Sequence, residues 1–368
     1  MTRARTAGLI ETQARACAAL GSPLYAALLS RVADDVRAGG PCADAVAPLE
    51  GAPGPAAAGL RLMGAVHALV LLGKAPDLAP HYAEAGDPDA AWEAFRTAVA
   101  AHPEHMAEWM RRPPQTNEVG RASQLIAGLL VVTDALGLPG PPPVRLLELG
   151  ASAGLNLRAD RFRIRGGPPE GGFAWGDPAS PVVLDGAWRG GTPPPRIAAA
   201  AARIPALRVV ERLGCDVDPL DPLDPGDALA LRAYLWPDVP HRAGRLAGAT
   251  ALAREVPARV VRQGAADFLA GTRLRPGTLT VVWHSVMRQY VPPAEWARAE
   301  AELDRLGRAG RGPESGWFAH VAFEPRRVGG THRFVLTARL GDGPEELLAE
   351  AHPWGLDGRA TEATAPDG

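Results

Sequence analysis

Lysine is nearly missing from this chain: Lys74 stands alone among 39 basic residues, the rest being arginine. With 42 glycines and 37 prolines, the bias reads as the mark of a GC-rich genome rather than of a function. The basic residues form no block, and 41 acids leave a net charge of −2. That excludes the electrostatic footprint of a nucleic-acid or anionic-membrane binder. Cysteine is scarce too. Cys17, Cys42 and Cys215 are odd in number and widely spaced, so they suggest neither a disulfide framework nor a zinc cluster, but a reducing compartment. Long apolar runs are absent: the longest, around Leu69 to Leu72, is broken by Gly64 and His67 and is too short to span a bilayer. Residues Met1 to Gly8 lack the apolar core of a signal peptide, and a cytoplasmic protein is expected.

What remains is an ordinary globular composition, 46 % apolar and 22 % charged, over 368 residues, with room for two domains and no internal repeat. Residues 1–138 read as helices. Ser22-Pro23 is a cap followed by proline at the first helical position, and Gly39-Gly40 stops that helix. Leu24, Leu28, Leu29, Val32 and Val36 recur at helical spacing, giving one buried face. Further helices are expected over 56–72, from Asp87-Pro88, and from a cap at Thr116 or Asn117 to Gly137. After a Pro/Gly-rich linker the texture changes. Strands are expected at 144–149, 208–210 leading to Cys215, 259–261, 279–282, 317–323 and 334–338, alternating with helices over 227–235, 242–254 and 294–309. Such alternation predicts an α/β domain over 144–356, doubly wound and mostly parallel. An inserted hairpin at about 159–207 breaks its rhythm, and 357–368 read as a disordered tail.

The most informative stretch runs from Val144 to Asn156, where a buried strand ends in Glu148 and enters the turn Gly150-Ala151-Ser152-Ala153-Gly154, expected to open a helix. Such a turn directs backbone N–H groups at a ligand, with an acid beside them. It fits two motifs. As a G-x-S-x-G elbow it would make Ser152 a hydrolase nucleophile, with His284, His320, His332 or His352 and Asp267 as partners. Against that, the residues before Val144 are helical, no oxyanion loop precedes the turn, and Glu148 is a poor neighbour for an oxyanion. As a cofactor turn it is followed, in order, by Asp216 for ribose hydroxyls, Asp267 for an adenine, and a fourth strand ending in His284 and Ser285.

That order resembles class I S-adenosylmethionine-dependent methyltransferases over roughly 144–355. The whole chain also resembles a bacterial family known only as a domain of unknown function. The resemblance rests on Gly21-Ser22-Pro23-Leu24-Tyr25, Gln115-Thr116-Asn117-Glu118-Val119-Gly120-Arg121, Leu147 to Leu157, Gly214-Cys215-Asp216, Trp236-Pro237-Asp238 and His284-Ser285-Val286. The resemblance implies a helical N-terminal domain beside a Rossmann-like methyltransferase sheet. It implies S-adenosylmethionine held by Glu148, Gly150, Ser152, Gly154, Asn156, Asp216 and Asp267, with Asn117 and Arg121 at the mouth. His284, helped by Ser285, is the candidate for chemistry on a small-molecule acceptor, without a metal. Three departures stand out. Ser152 replaces a glycine, which is acceptable at negative φ. Asp216 lies far beyond the interval of about 20 residues usual for the ribose acid, with Asp185 as rival. No Asn/Asp-Pro-Pro-aromatic signature follows the fourth strand. A non-catalytic nucleotide-like sensor is the alternative of another class.

Overall fold

The computed structural model describes residues 2–83, 87–167, 172–328 and 330–361. The chain divides into two compact units, Met1–Thr116 with Leu223–Gly244, and Asn117–Pro222 with Arg245–Gly368.

The first unit is helical. Ser22 accepts a hydrogen bond from the Tyr25 N–H at the head of the helix Pro23–Ala38, and Gly39 ends it at φ 76°. Asp87 caps Pro88–Ala101 in the same way, through the Asp89 N–H. Leu28, Leu29 and Val32 share one core with Leu62, Met63, Val66 and Leu69 of the helix Ala58–Leu71 and with Phe95. The helix Pro225–Ala233 belongs to this core through Ala230 and Ala233, followed by Tyr234. Gly64 makes room for it, since a Cβ there would lie 2.5 Å from the Tyr234 ring.

The division therefore falls at Thr116, with a later segment returning to the helical unit, and not in the linker after 138. The reason is the helix Ala122–Asp134, buried at every position from Ala122 to Thr133. It covers the sheet of the second unit so closely that a Cβ on Gly128 would lie 2.3 Å from Val321. A helix apolar all round needs cover on more than one side, and the sheet supplies it.

In chain order the strands are β1 (Val144–Leu149), β2 (Arg163–Arg165), β3 (Ala174–Trp175), β4 (Val183–Leu184), β5 (Val209–Asp216), β6 (Arg259–Arg262), β7 (Leu279–Ser285), β8 (Arg311–Gly312), β9 (Gly316–Val328), β10 (Thr331–Leu340) and β11 (Glu346–Ala351). The main sheet runs β11-β10-β9-β7-β1-β5-β6, with β8 also on β9. Strands β1, β5, β6, β7 and β9 are parallel, while β10 and β11 are each antiparallel to the neighbour before them. This is a mixed α/β unit with a mostly parallel sheet. Its winding reverses between β1 and β7, and the carboxyl ends of those strands border the crevice where open sheets hold ligands.

Two expectations need correction. Residues 159–207 hold a three-stranded sheet, β3-β2-β4, and the helix Pro195–Arg203 rather than a hairpin. The start of the expected tail is ordered by pairing: Gly358 bridges to Trp188 and Arg359 to Glu350. Residues 362–368, the rest of that tail, lie outside the described residues.

Candidate functional site

Strand β1 is buried along its whole length and delivers Glu148 to the sheet's edge. Beyond it Gly150, Ser152 and Gly154 take φ 66°, 51° and 63°. Ser152 thus adopts the left-handed conformation, not the negative φ expected of it, at a cost of roughly 1–2 kcal/mol for a residue with a Cβ. The following segment is a 3-10 stretch, Leu155–Arg161, and not the expected α-helix. Most N–H groups of the turn already have acceptors. Ala151 donates to the Cys215 carbonyl at 3.0 Å and Gly154 to the Ala151 carbonyl at 2.7 Å. Ser152 donates to Asp216 Oδ2 and Leu155 to Asn117 Oδ1, both at 2.8 Å. With these N–H groups engaged, the turn does not present the fan of donors that a pyrophosphate requires, and its glycines make room for the side chains of Met287 and Val260.

Around it gather most of the residues expected from the sequence. Asp216 ends β5 and accepts from the Ser152 and Asp218 N–H groups, one on each oxygen, which leaves lone pairs for a ligand. Asn117 is spent on Leu155, so the cap of the next helical segment is Glu118, which accepts from the Gly120 N–H at 3.1 Å. Asn156 Nδ2 donates to the Glu118 carbonyl at 3.2 Å. Arg121 donates to the carbonyls of Ser285 at 3.4 Å and Pro353 at 3.0 Å. Residues 117–121 are in this way tied to the turn and to the end of β7.

Glu148 is the chemically unusual member. It is 3 % exposed. Burial pushes its carboxyl up to about 8; the Trp283 indole opposes the rise, the Asp216 charge adds to it, and Arg121 and Arg158 counter it. A neutral acid is therefore the main form at pH 7. Its Oε2 and the Oδ1 of the buried Asn156 have no protein hydrogen-bond partner.

Two expected residues lie elsewhere. Asp267, in the first turn of the helix Ala265–Gly271, has an exposed side chain paired with Arg298. Asp185 is half-exposed and paired with Arg165.

His284 and Ser285, adjacent in sequence, are separated by strand alternation, which sends successive side chains to opposite faces. Ser285 is on the Arg121 side. His284 is buried on the other, with Nδ1 2.8 Å from Glu324 Oε1 and Nε2 3.0 Å from His320 Nε2. The register pairs His284 with Ala322, so His320 and Glu324 flank it on the same face of β9. Burial and the neighbouring His284 push the His320 imidazolium well below the usual range, with Arg339 and Arg326 adding to this, so His320 is neutral. These residues line a cavity of about 1240 Å³ together with Trp296, Arg288, Arg326, Arg339 and Glu345. Both ring nitrogens of His284 are engaged, which leaves it no role as a base for Ser152.

The turn and the cavity meet at Met287. A Cβ on Gly150 would lie 2.9 Å from Met287 Cβ, and the Met287 N–H donates to Glu324 Oε1 at 3.0 Å. Val286, just before it, is held at φ 51° with its N–H on the Phe323 carbonyl, a rare conformation for a β-branched residue. The sequence pattern gives no sign of Met287 or Arg158, leaves Glu324 as an acid that faces a substrate or merely ends its strand, and offers His320 only as a partner for Ser152. The one usable signal was the alternation of His320, Ala322 and Glu324 along a strand.

Among the described residues, no group of three or more His, Cys, Asp or Glu side chains is arranged to hold a metal ion. No helix among them is long and apolar enough to cross a membrane. No curated protein and no solved structure matches the chain. Residues 7–357 match a family described as an uncharacterized protein conserved in bacteria, DUF2332, and the chain belongs to that family.

Proposed function

We propose that the protein is an S-adenosylmethionine-dependent methyltransferase of a small molecule, with a Rossmann-like sheet. The observation that carries this reading is Glu148: a buried acid whose carboxyl pKa is raised by burial and which has an unpartnered oxygen, beside the glycine turn. A cationic ligand would restore its charge, and the α-ammonium and sulfonium of S-adenosylmethionine are both cationic. The filled N–H groups of the turn disfavour a dinucleotide with its pyrophosphate and suit a nucleoside without phosphates. Asp216, at the tip of the strand beside β1, is the acceptor for the ribose hydroxyls. Glu148 and Asp216 would hold S-adenosylmethionine, which would supply an electrophilic methyl group to the acceptor. Much of the rate would come from positioning the two reactants.

Calorimetry tests this. S-adenosylmethionine and its demethylated product should bind, and NAD should not. Because Glu148 would ionise on binding, about one proton should be released near pH 7, so the heat of binding should vary with the buffer's ionisation enthalpy. Glu148→Gln should abolish that variation and weaken binding. Absence of binding by both sulfur nucleosides would end the methyltransferase reading.

A further inference from the structure

On the face of β7 away from Trp283 and Ser285, the cavity holds a second carboxylate with an unmet hydrogen-bonding need. Glu324 is 4 % exposed. Its Oε1 accepts from the Met287 N–H at 3.0 Å, the Arg288 N–H at 3.4 Å and His284 Nδ1 at 2.8 Å. Three donors thus converge on one oxygen. The other oxygen, Oε2, has no protein partner, although Glu324 lines the cavity. A buried carboxylate oxygen left so costs more than a neutral group would, unless a bound donor supplies the bond. The hydrogen-bond order fixes the rest. Glu324 takes the Nδ1–H of His284, which makes His284 Nε2 an acceptor, and that acceptor is served by the Nε2–H of His320. The remaining lone pair, on His320 Nδ1, belongs to a neutral imidazole that can accept a hydrogen bond.

We infer that this cavity is the acceptor-substrate site, that it takes a small molecule presenting a hydroxyl group, and that Glu324, positioned by the His284–His320 pair, binds and deprotonates that hydroxyl. The inference rests on the methyltransferase reading for the second half of the reaction. The hydroxyl oxygen would attack the sulfonium methyl, forming a C–O bond as the C–S bond breaks, and its proton would pass to Glu324 Oε2. The product is a methyl ether and a thioether. A hydroxyl has one hydrogen to donate, which matches the single open carboxylate oxygen of the cavity, Glu324 Oε2. Met287, between the glycine turn and Glu324, brings the two sites to one short segment.

Three fragments decide the matter: phenol, benzylamine and anisole, added to the full chain carrying ¹⁵N-labelled histidine. Phenol should shift the ring resonances of His284 and His320, and benzylamine and anisole should not. Glu324→Gln, which keeps an acceptor for the Met287 N–H, should weaken phenol binding about tenfold and leave S-adenosylmethionine affinity unchanged. His320→Gln should do the same, guarding against misfolding of the first variant. Equal shifts from anisole, or none from phenol, would overturn the inference, and stronger shifts from benzylamine would overturn the hydroxyl assignment. Loss of S-adenosylmethionine binding in Glu324→Gln would move Glu324 to the cofactor site. Failure of the wild-type chain to bind S-adenosylmethionine would remove the methyl-transfer step but not the phenol result.

Discussion

The helical unit and the sheet unit both bury polar atoms without protein partners, but of different kinds. In the helical unit they include the hydroxyls of Tyr25, Tyr82 and Tyr234 and the Oε1 of Gln13, all neutral. The sheet unit has neutral ones too, among them Gln124 Oε1, Asn156 Oδ1 and the Trp283 indole nitrogen, but it adds carboxylate oxygens, Glu148 Oε2, Asp160 Oδ1 and Glu324 Oε2. A neutral orphan costs about 1–3 kcal/mol, and one water can satisfy it. A carboxylate in the same position shifts its ionisation or waits for a donor. Two left-handed glycines make a matched pair across the units: Gly73, at φ 69°, has open space where a Cβ would go, whereas Gly150, at φ 66°, has Met287. Both units pack other glycines tightly, as at Gly64 and Gly128, but among the described residues only the sheet unit buries carboxylate oxygens without protein partners.

The largest test of that contrast uses the two glycines. Gly73→Val and Gly150→Val carry the same backbone penalty, roughly 1–2 kcal/mol. Only Gly150→Val adds crowding, typically about 1–3 kcal/mol, and only it should abolish S-adenosylmethionine binding. Equal urea midpoints for the two variants would break the comparison.

Two aspartates come next. Asp238 accepts from Ser22 Oγ at 2.7 Å and the Leu24 N–H at 3.0 Å in the helical unit, much as Asp216 holds Ser152 and Asp218. Either alanine variant should lose about 1.5–3 kcal/mol of stability. Only Asp216→Ala should weaken S-adenosylmethionine, by roughly ten- to a hundredfold. Asp185→Ala removes a surface ion pair and should change neither quantity by much. If it is instead the damaging change, the ribose acid has been misassigned.

The pH response should separate the units in opposite directions. Glu148 is raised from 4.5 to about 8, so its folded form holds the proton more tightly and stability falls as pH rises through that window. His67 is lowered by burial from 6.5 to about 4, so stability falls as pH drops through that window. Urea titrations should show Glu148→Gln flattening the alkaline limb alone and His67→Gln the acid limb alone. The smallest effect is expected at Ser152. Its glycine variant relieves the left-handed strain but adds unfolded-state entropy, for a net gain of about 0.5–1 kcal/mol. Ser152→Ala should be nearly neutral, and a stability loss on Ser152→Gly would show that the hydroxyl holds the turn.

Much of this was legible in the sequence where local chemistry decides. The caps at Ser22 and Asp87 and the apolar runs of β1, β5, β7 and β9 form as their residues dictate. Strand β11 was not legible because Glu346-Leu347-Leu348-Ala349-Glu350-Ala351 has a helix-former's composition, and pairing with β10 overrides it. The return of 223–244 to the helical unit depends on Tyr234 filling space at Gly64 and packing on Trp109, contacts no local pattern announces. At the site, strand ends named Glu148, Asp216 and His284. The partners of His284 lie 36 and 40 residues away and become visible only through the β7–β9 register.

One backbone segment, Val286 to Arg288, borders both the glycine turn through the Met287 side chain and Glu324 through its N–H groups. A ligand on one side that favours one arrangement of this segment must alter affinity on the other side, and by the same factor in both directions. Val286 supplies the free energy for such a shift, since leaving its left-handed conformation releases strain. Cooperativity between the two sites would then be a property of a single peptide linkage rather than of any large movement of the sheet.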